Sequence, residues 1–356
     1  MQDLTTDYTR GEGAIVEGDK MSMKITNIRQ GLIRAGLPLA LMFLIGGSFE
    51  PLLAQVPSTF EKVRIAVPVK SMNYVPLFLG KEKGLFRDEG IDLELIMIPG
   101  TIAGATLQAG EIDYTAAPNI AMRAAIRGAA VRSVMFFQTR LSFSLIGQSK
   151  IIADTVNTIA VNGVGTATHY AALATMDKLG QGRRKILYIG TGSSAMSYMA
   201  LINKTVDAAS ISPPFTSMAT TSGYVYLGDA FHIPGVQGGL AVTTRHLTEK
   251  RNQTKQVIRA TLRAIDRIIN SPEETVNYIQ KDYNLKREVA LESYDIMIRT
   301  FNPSGDINDG ELRQVMAQMK KEIGVTADIP FDRVMDLSPL REVQAELKKE
   351  KSDRGK

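Results

Sequence analysis

Short apolar runs separated by helical stretches form the first recognisable pattern in this chain. Strands are predicted at 63–69, 91–98, 112–117 and 131–137, and the three helix candidates between them end at Gly84, Gly110 and Gly128. The second run is mostly apolar, as suits a strand covered on both faces. The resulting order β-α-β-α-β-α-β predicts a parallel sheet with helices on its faces.

The same pattern starts again 94 residues later, without a gap over three segments. The matched pairs are Ile65/Ile159, Ala66/Ala160, Val67/Val161, Leu93/Leu187, Leu107/Leu201, Ile112/Val206 and Asp113/Asp207. Self-similarity at one constant offset indicates a duplicated unit. The predicted fold class is therefore α/β with two similar lobes, each a mostly parallel sheet flanked by helices.

Beyond the second unit the pattern becomes helical. Residues 239–243 are a strand candidate that returns the chain to the first lobe. An i, i+4, i+7 stripe then predicts a long helix, and its apolar members are Val257, Ile258, Leu262, Ile265, Ile268 and Ile269. Further helices are predicted at 289–300, 311–323 and 340–349. Ser271 and Asn308, each with a glutamate three residues later, have the spacing of helix N-caps.

The predicted domain organisation follows from these elements. We expect an N-terminal extension with a signal peptide at 1–54, a first lobe at 60–138 and 240–350, and a second lobe at 139–239.

The leader has the pattern of a secretory signal peptide. An apolar run at 35–46 follows a basic segment, and Ala54 ends a stretch suited to cleavage. The basic residues are Lys20, Lys24, Arg29 and Arg34. The run is shorter than the roughly 20 residues of a membrane span, although an uncleaved anchor is the alternative. We therefore expect a periplasmic protein, free or held by its leader.

Composition narrows the function classes. The formal net charge is +5, but the basic residues are scattered, which favours a solvated basic surface over a nucleic-acid interface. The chain has no cysteine, which excludes disulfides, thiolate metal sites and a cysteine nucleophile. The histidines His169, His232 and His246 lack metal-ligand spacing, and no GxSxG motif occurs. We expect no metal, no cofactor and no enzymatic step.

The loops that follow the predicted strands are rich in Ser, Thr, Asn and Gly. They lie at 70–74, 99–101, 118–119 and 138–139 in the first lobe, and at 163–169, 191–195 and 212–215 in the second. In open α/β sheets, ligands bind at the carboxyl ends of the strands. Several of these loops begin helices, whose free N–H groups and partial positive charge suit an anion. Helix capping alone is the structural alternative.

Several residues in and near these loops have competing interpretations. The segment at 163–169, GVGTATH, lacks the GK[ST] ending of a nucleotide-binding P-loop. Asp113 and Asp207 fall at strand starts, which favours a structural role. Among the aromatic residues, Tyr74 and Phe215 are candidates for stacking on a ligand, whereas Phe78 is more typical of a core.

Four segments together resemble a known family. They are GLFRDEGIDLEL, GATLQAGEIDYTAAPN, TVNTIAVNGVGTATHYAAL and YMALINKTVDAASISPP. In order and spacing they resemble the solute-binding proteins of nitrate-, sulfonate- and taurine-type ABC importers, which share their fold with thiamine-pyrimidine-precursor proteins. The resemblance covers residues 63–262. It implies a type II periplasmic-binding fold, with two lobes joined by crossover segments near 138–143 and 234–239.

The resemblance also implies a ligand site. In that family the loop after the first strand and helix starts in both lobes contact the ligand. Carried onto this sequence, these roles fall to Ser71, Asn73, Tyr74, Thr101, Asn119, Thr166, Thr168 and His169. Gln138 and Pro213, in two further strand-end loops, complete the set of candidate ligand-binding residues.

The implied function is capture of a small molecule between the lobes and its delivery to an ABC permease with its ATPase. A sulfonate-like anion is the first ligand candidate, and a polar or aromatic metabolite is the second. We expect a monomer. One alternative is an extracytoplasmic ligand-sensing domain for a membrane signalling partner. Another is a pyrimidine synthase of the same fold, but that enzyme uses a Cys-rich iron motif, which this chain lacks.

Overall fold

The computed structural model describes residues 60–354, so the predicted leader lies outside the described residues. The strands in this part of the chain are β1 Glu61–Val67, β2 Ile91–Met97, β3 Tyr114–Thr115, β4 Val131–Arg140, β5 Ser144–Gly147, β6 Thr158–Val161, β7 Leu187–Gly190, β8 Ala208–Ile211, β9 Val225–Asp229 and β10 Pro234–Thr243. The helices are α1 Val75–Glu82, α2 Gly100–Ala109, α3 Pro118–Ile126, α4 Ala167–Lys178, α5 Ser194–Ile202, α6 Phe215–Thr221, α7 Thr244–Glu249, α8 Arg251–Asn270, α9 Pro272–Asp282, α10 Arg287–Thr300, α11 Asp309–Ile323 and α12 Ser338–Arg354.

The strands form two mixed sheets of related order. The first sheet runs β2-β1-β3-β10-β4, and the second runs β7-β6-β8-β5-β9. In each sheet the first three strands are parallel, and the fourth runs antiparallel to both of its neighbours. The two-lobed α/β fold expected from the sequence is confirmed.

One detail of the first sheet differs from the expectation of a simple parallel order. The predicted fourth strand, β4, does not pair with β3, because β10 lies between them and pairs antiparallel to both. A strand that returns from more than a hundred residues away cannot be placed from the local pattern of 63–137. The chain leaves this sheet through β4 and re-enters it through β10.

A pair of aspartates shows that the two lobes are built in the same way. The Asp113 carboxylate accepts a hydrogen bond from the backbone N–H of Arg64 at 2.8 Å. The Asp207 carboxylate accepts one from the N–H of Thr158 at 2.9 Å. Both donors and both acceptors are related by the offset of 94 residues. The structural role expected for these aspartates is confirmed.

The C-terminal helices pack on the first lobe. The apolar stripe of α8 is buried as predicted, except that Ile269 at its end is 36% exposed. The predicted helices at 289–300, 311–323 and 340–349 are found as α10, α11 and α12. Asn308 caps α11 by accepting the Glu311 N–H at 2.9 Å. Ser271 is the N-cap residue of α9, as predicted, but its side chain accepts no hydrogen bond from a helix amide. Among residues 60–354, no helix is both long and apolar enough to span a membrane.

Candidate functional site

A pocket lies where the two lobes meet. The first lobe contributes α3, with Asn119 and Arg123, and the second lobe contributes the start of α4, with Ala167 and Tyr170. The segment 233–237 and the C-terminal half of α11 close its sides. The pocket offers about 540 Å³ of space, part of it open to solvent. The helices that follow β3 and β6 therefore face a common cavity.

The helix starts at this pocket leave backbone donors unused by side chains. Neither α3 nor α4 has a side-chain cap, and the same holds for α2, where Thr101 lies in the first turn. By contrast, Ser193 caps α5 by accepting the Met196 N–H at 3.2 Å. The first amides of a helix have no partner within the helix. In α3, however, Pro118 has no N–H and the Ile120 N–H is bonded to the Ala117 carbonyl, so the Asn119 N–H is the donor left in its first turn. Both helix starts carry the partial positive charge of a helix N-terminus.

The loop after β1 contains three predicted residues, of which Asn73 lies beside the crossover segments. Asn73 accepts a hydrogen bond from the Ser142 hydroxyl at 3.3 Å, and its carbonyl lies close to Gly238, where a Cβ would be 3.0 Å away. The Ser71 carbonyl accepts a bond from the Tyr283 hydroxyl at 2.9 Å. Tyr74 is 5% exposed within the first lobe's core, and this burial raises the pKa of its phenol. Its expected role as a ligand contact stays a prediction.

Gln138 lies at the end of β4 and points toward the C-terminal helices. Its amide Nε2 donates to the Thr300 hydroxyl at 3.0 Å, and its side chain is almost fully buried. The amide Oε1 has no protein partner. Its ladder partner is Gly238, the residue beside Asn73. Gln138 is therefore near the crossovers, but its bonded partner belongs to α10.

The second lobe brings hydroxyl groups from three strand-end loops together. Thr168 accepts the Asn162 N–H at 2.9 Å and shares a hydrogen bond with Thr166, also at 2.9 Å. Ser194 reaches the Asn162 amide oxygen at 3.5 Å and the Ser212 hydroxyl at 3.3 Å. Pro213 follows Ser212 directly and is buried. Thr166, Thr168 and the loop of Pro213 thus belong to one polar cluster.

His169 stabilises the loop that precedes α4. Its Nδ1 accepts the Gly165 N–H at 3.0 Å, and its ring packs edge-on against Tyr188 with centroids 4.5 Å apart. Partial burial lowers the pKa of the imidazole. Because Nδ1 is an acceptor here, the ring is neutral with its proton on Nε2.

The sequence did not reveal several pocket residues. Arg123 lies one turn after Asn119, and its guanidinium pairs with Glu322 of α11. Tyr170 supplies the pocket's aromatic ring, whereas the predicted Phe215 packs on Tyr198 at 5.7 Å between centroids. The i, i+4 spacing of Asn119 and Arg123 was a usable signal for Arg123. Nothing local connected α11 to this site, because Glu322 is 199 residues from its partner.

The donor groups of the pocket can bind anionic oxygens. Within residues 60–354, no group of three His, Asp or Glu side chains is arranged to hold a metal. Amides, hydroxyls and a guanidinium bind carboxylate or sulfonate oxygens through charge-assisted or neutral hydrogen bonds.

Comparisons with known proteins place the chain in a family. A family model described as NMT1/THI5 like matches residues 71–275. A search of curated proteins finds no significant match. The alkanesulfonate-binding protein SsuA from Xanthomonas axonopodis pv. citri, bound to MOPS, is 19% identical with a TM-score of 0.60, over 78% of this chain and 97% of that chain.

Two further solved structures have the same fold. The periplasmic aliphatic sulphonate binding protein SsuA from Escherichia coli is 17% identical with a TM-score of 0.62, over 77% of this chain and 97% of that chain. A cysteine-to-serine mutant of DSZB in complex with biphenyl-2-sulfinic acid is 10% identical with a TM-score of 0.60, over 81% and 99%. The motif-level resemblance noted above is confirmed at the level of family and fold. Because the family model matches more than half of the 356 residues, the protein belongs to the NMT1/THI5-like family and has the two-lobed fold of periplasmic binding proteins.

Proposed function

We propose that the protein captures a small organic anion between its lobes and delivers it to an ABC permease in the membrane. The observation that carries this proposal is the pocket itself, which is lined by α3 of one lobe and α4 of the other. A ligand bound there contacts both lobes at once. Such a ligand favours the arrangement of the lobes in which it can contact α3 and α4 at the same time.

A sulfonate is the first ligand candidate. The pocket combines two uncapped helix starts with the amide of Asn119 and the guanidinium of Arg123. These groups are hydrogen-bond donors, so they suit the three oxygens of a sulfonate and do not suit a cation. The ligands named for the neighbouring structures, MOPS and biphenyl-2-sulfinic acid, carry oxidised sulfur anions and support the same class. Tyr170 adds an aromatic face for an apolar or heterocyclic body.

The proposed mechanism is a hinge motion without a covalent step. The segments 141–143 and 230–233 connect the two sheets, and we place the hinge there. Ligand affinity for the closed arrangement, in excess of its affinity for the open one, drives closure. The DSZB structure carries a serine in place of a cysteine, whereas this chain has no cysteine at all. That difference favours binding over cysteine-based catalysis.

The remaining parts of the proposal concern location and partners. We propose export to the periplasm, a membrane permease with its ATPase as the receiving partner, and a monomeric solute-binding protein. The sulfonate-binding neighbour from Escherichia coli is described as periplasmic, which supports this location.

Mass spectrometry of small molecules released from natively purified protein tests the proposal. We expect an unmodified organic anion, and calorimetry with MOPS and a panel of alkanesulfonates should find a binder. Asn73→Ala and Asn119→Ala should each weaken that binding about tenfold, the equivalent of roughly 1.4 kcal/mol.

Asn252→Ala is the matched control, because Asn252 is an exposed asparagine on α8 away from the pocket. Failure of the wild-type protein to bind or release any organic anion would contradict the proposed function. Equal binding by all three variants would place the site elsewhere.

A further inference from the structure

The pocket between the lobes contains an ion pair formed by its own lining. Among the described residues that line it, Arg123 is the only one with a full positive charge and Glu322 is the only one with a full negative charge. The two are bonded to each other, from Arg123 Nη2 to Glu322 Oε2. The strongest anion-binding group in the pocket is therefore occupied by a carboxylate of the same chain.

The two partners come from elements of different origin. Arg123 lies on α3, which directly follows β3 of the duplicated α/β unit. Glu322 lies in the last turn of α11, in the C-terminal helical region. Both side chains are largely shielded, with 26% of Arg123 and 12% of Glu322 exposed. The C-terminal region thus contributes the negative partner of this pair to the pocket, as well as other lining residues of α11.

The hydrogen bonds around the pair leave free donors on the Arg123 guanidinium, whereas both oxygens of the Glu322 carboxylate are already bonded. Arg123 Nη1 makes only a long bond to the Asn119 carbonyl, at 3.4 Å. A guanidinium has five N–H donors in a planar fork, so it can receive a second anionic oxygen. Glu322 is satisfied on both oxygens, because Oε1 accepts the Gln318 amide N–H at 3.1 Å. Gln318, one turn earlier on α11, therefore positions the carboxylate against Arg123.

The position of Glu322 on its helix is electrostatically unfavourable without Arg123. The C-terminal end of a helix carries a partial negative charge, which disfavours a carboxylate in the last turn. α11 ends at Ile323, and the C-cap residue Gly324 has a φ of +69°. Lys320 and Lys321 in the same turn carry the positive charge that the C-terminal end of a helix favours. The local preference of the helix thus does not account for Glu322, whereas the guanidinium of Arg123 does.

We infer that Glu322 occupies the place of the ligand's anionic group on Arg123 and is displaced when the ligand binds. This inference rests on the proposed function, since it assigns a specificity device to the same pocket. An uncharged compound leaves the pair intact and gains nothing from Arg123. An anion binds the Arg123 guanidinium only if it does so more strongly than the Glu322 carboxylate that it replaces. Glu322 therefore selects for ligands with strongly anionic groups.

Inorganic sulfate is the probe that tests the inference independently of the natural ligand. Glu322→Gln should bind sulfate at least tenfold more tightly than the wild-type protein in calorimetry, at constant ionic strength balanced with chloride. The melting temperature of this variant should rise with sulfate more than that of the wild type. The double variant Arg123→Gln/Glu322→Gln should lose this gain, because the freed guanidinium is absent.

Glu311→Gln is the matched control, because Glu311 also lies on α11 and pairs with a half-buried arginine, Arg140, outside this pocket. We expect its sulfate response to equal that of the wild type. The inference is overturned if Glu322→Gln and the double variant respond alike, or if Glu311→Gln shows the same gain. Both results are measured with sulfate and do not depend on which organic anion the wild-type protein binds. Failure of this inference can therefore be distinguished from failure of the proposed function.

Discussion

Thr168 illustrates at the residue scale how a side chain predicted to contact the ligand also serves the fold. It is only 1% exposed, and its hydroxyl accepts the Asn162 N–H while pairing with Thr166. Its carbonyl accepts the Ser210 hydroxyl at 3.0 Å. The sequence presented Thr168 as a ligand contact at a helix start. The structure adds that the same hydroxyl keeps the loop after β6 in place.

Replacing Thr168 with valine should therefore lower stability as well as ligand binding. The Asn162 N–H loses its acceptor, and because this bond is only half-buried we expect a cost near the lower end of the about 1–3 kcal/mol of an unsatisfied buried donor. Urea unfolding measures this loss. Thr248→Val is the control, because Thr248 is exposed and bonds only to a helix carbonyl of α7. Equal unfolding free energies for both variants would show that the Thr168 hydroxyl has no structural role.

A second residue-scale prediction concerns His246, which lies against Tyr114 and Gln253. Its Nε2 lies 2.8 Å from the Gln253 amide oxygen and 3.1 Å from the Tyr114 hydroxyl. Burial lowers the pKa of His246 in the folded state, although the charge of Asp113 opposes this effect. The unfolded chain, with a histidine pKa of about 6.5, then binds more protons than the folded protein. Stability consequently rises with pH through this window.

We therefore expect the free energy of unfolding to fall as the pH drops below about 6.5. His246→Gln should show a shallower fall, while His169, whose pKa is lowered in the same direction, keeps a residual slope. Denaturant unfolding between pH 5 and pH 8 measures both curves. A variant as steep as the wild type would mean that His246 does not contribute.

At the scale of elements, α8 and α12 form a parallel pair joined by charged side chains. Arg251 pairs with Glu342 near one end, and Arg263 pairs with Glu350 at 3.2 Å near the other. Glu89, in the turn before β2, bonds to both Arg259 and Arg263 at 2.6 Å and is 8% exposed. Glu89 thus connects the duplicated α/β unit to the C-terminal helices.

Glu89→Gln should destabilise the protein far more than loss of an exposed pair. Removing one partner of a buried ion pair leaves uncompensated charge, at a typical cost of about 3–5 kcal/mol. We expect about 2 kcal/mol here, because Arg263 is one-third exposed. Glu249→Gln is the control, since its pair with Arg245 is largely exposed and should contribute close to nothing. Thermal unfolding of the two variants would reveal similar losses if Glu89 were unimportant.

How far the sequence predicted these elements depends on the range of the interactions. The strand and helix pattern, the 94-residue offset and the Asn308 cap are local signals, and the structure confirms them. Ser271 has the same local spacing, yet its backbone angles (φ −130°, ψ 65°) differ from those of the Asn308 cap (φ −77°, ψ 155°). The pairing of Arg123 with Glu322 and the insertion of β10 depend on tertiary packing. No pattern within either segment contains that information.

For the whole molecule, α10 is a third link between the lobes beside the two crossovers. One face of α10 belongs to an apolar cluster of the first lobe through Ala290, Tyr294 and Met297. Another face reaches α6 of the second lobe, where Ser293 bonds to Ser217 at 3.0 Å. Beside this contact, Glu292 accepts the Thr220 hydroxyl at 2.7 Å. Any hinge motion must therefore preserve or exchange these contacts.

Glu292→Ala should widen the range of lobe separations in the absence of ligand. The chain has no cysteine, so spin labels on Glu111→Cys and Lys204→Cys report one distance between the two lobes. We expect a broader distance distribution in the variant, and narrowing of both distributions on addition of a bound sulfonate. Leu291→Ala is the control on the same helix, because Leu291 is 46% exposed. Identical distributions for Glu292→Ala and Leu291→Ala would show that the α6 contact does not restrain the lobes.

The place of β10 between β3 and β4 also affects how the chain folds during synthesis. The first sheet lacks the strand that joins β3 to β4 until residue 243 has left the ribosome, and until then β3 and β4 have unpaired edges. The second sheet, β5 to β9, is contiguous and needs nothing that comes later. We expect pulse-labelling hydrogen exchange to find β5–β9 protected before β3 and β4. The synthesis of the first lobe begins first, yet its sheet is completed last. The edges of β3 and β4 stay unpaired until β10 is made, and β10 is made only after all strands of the second sheet.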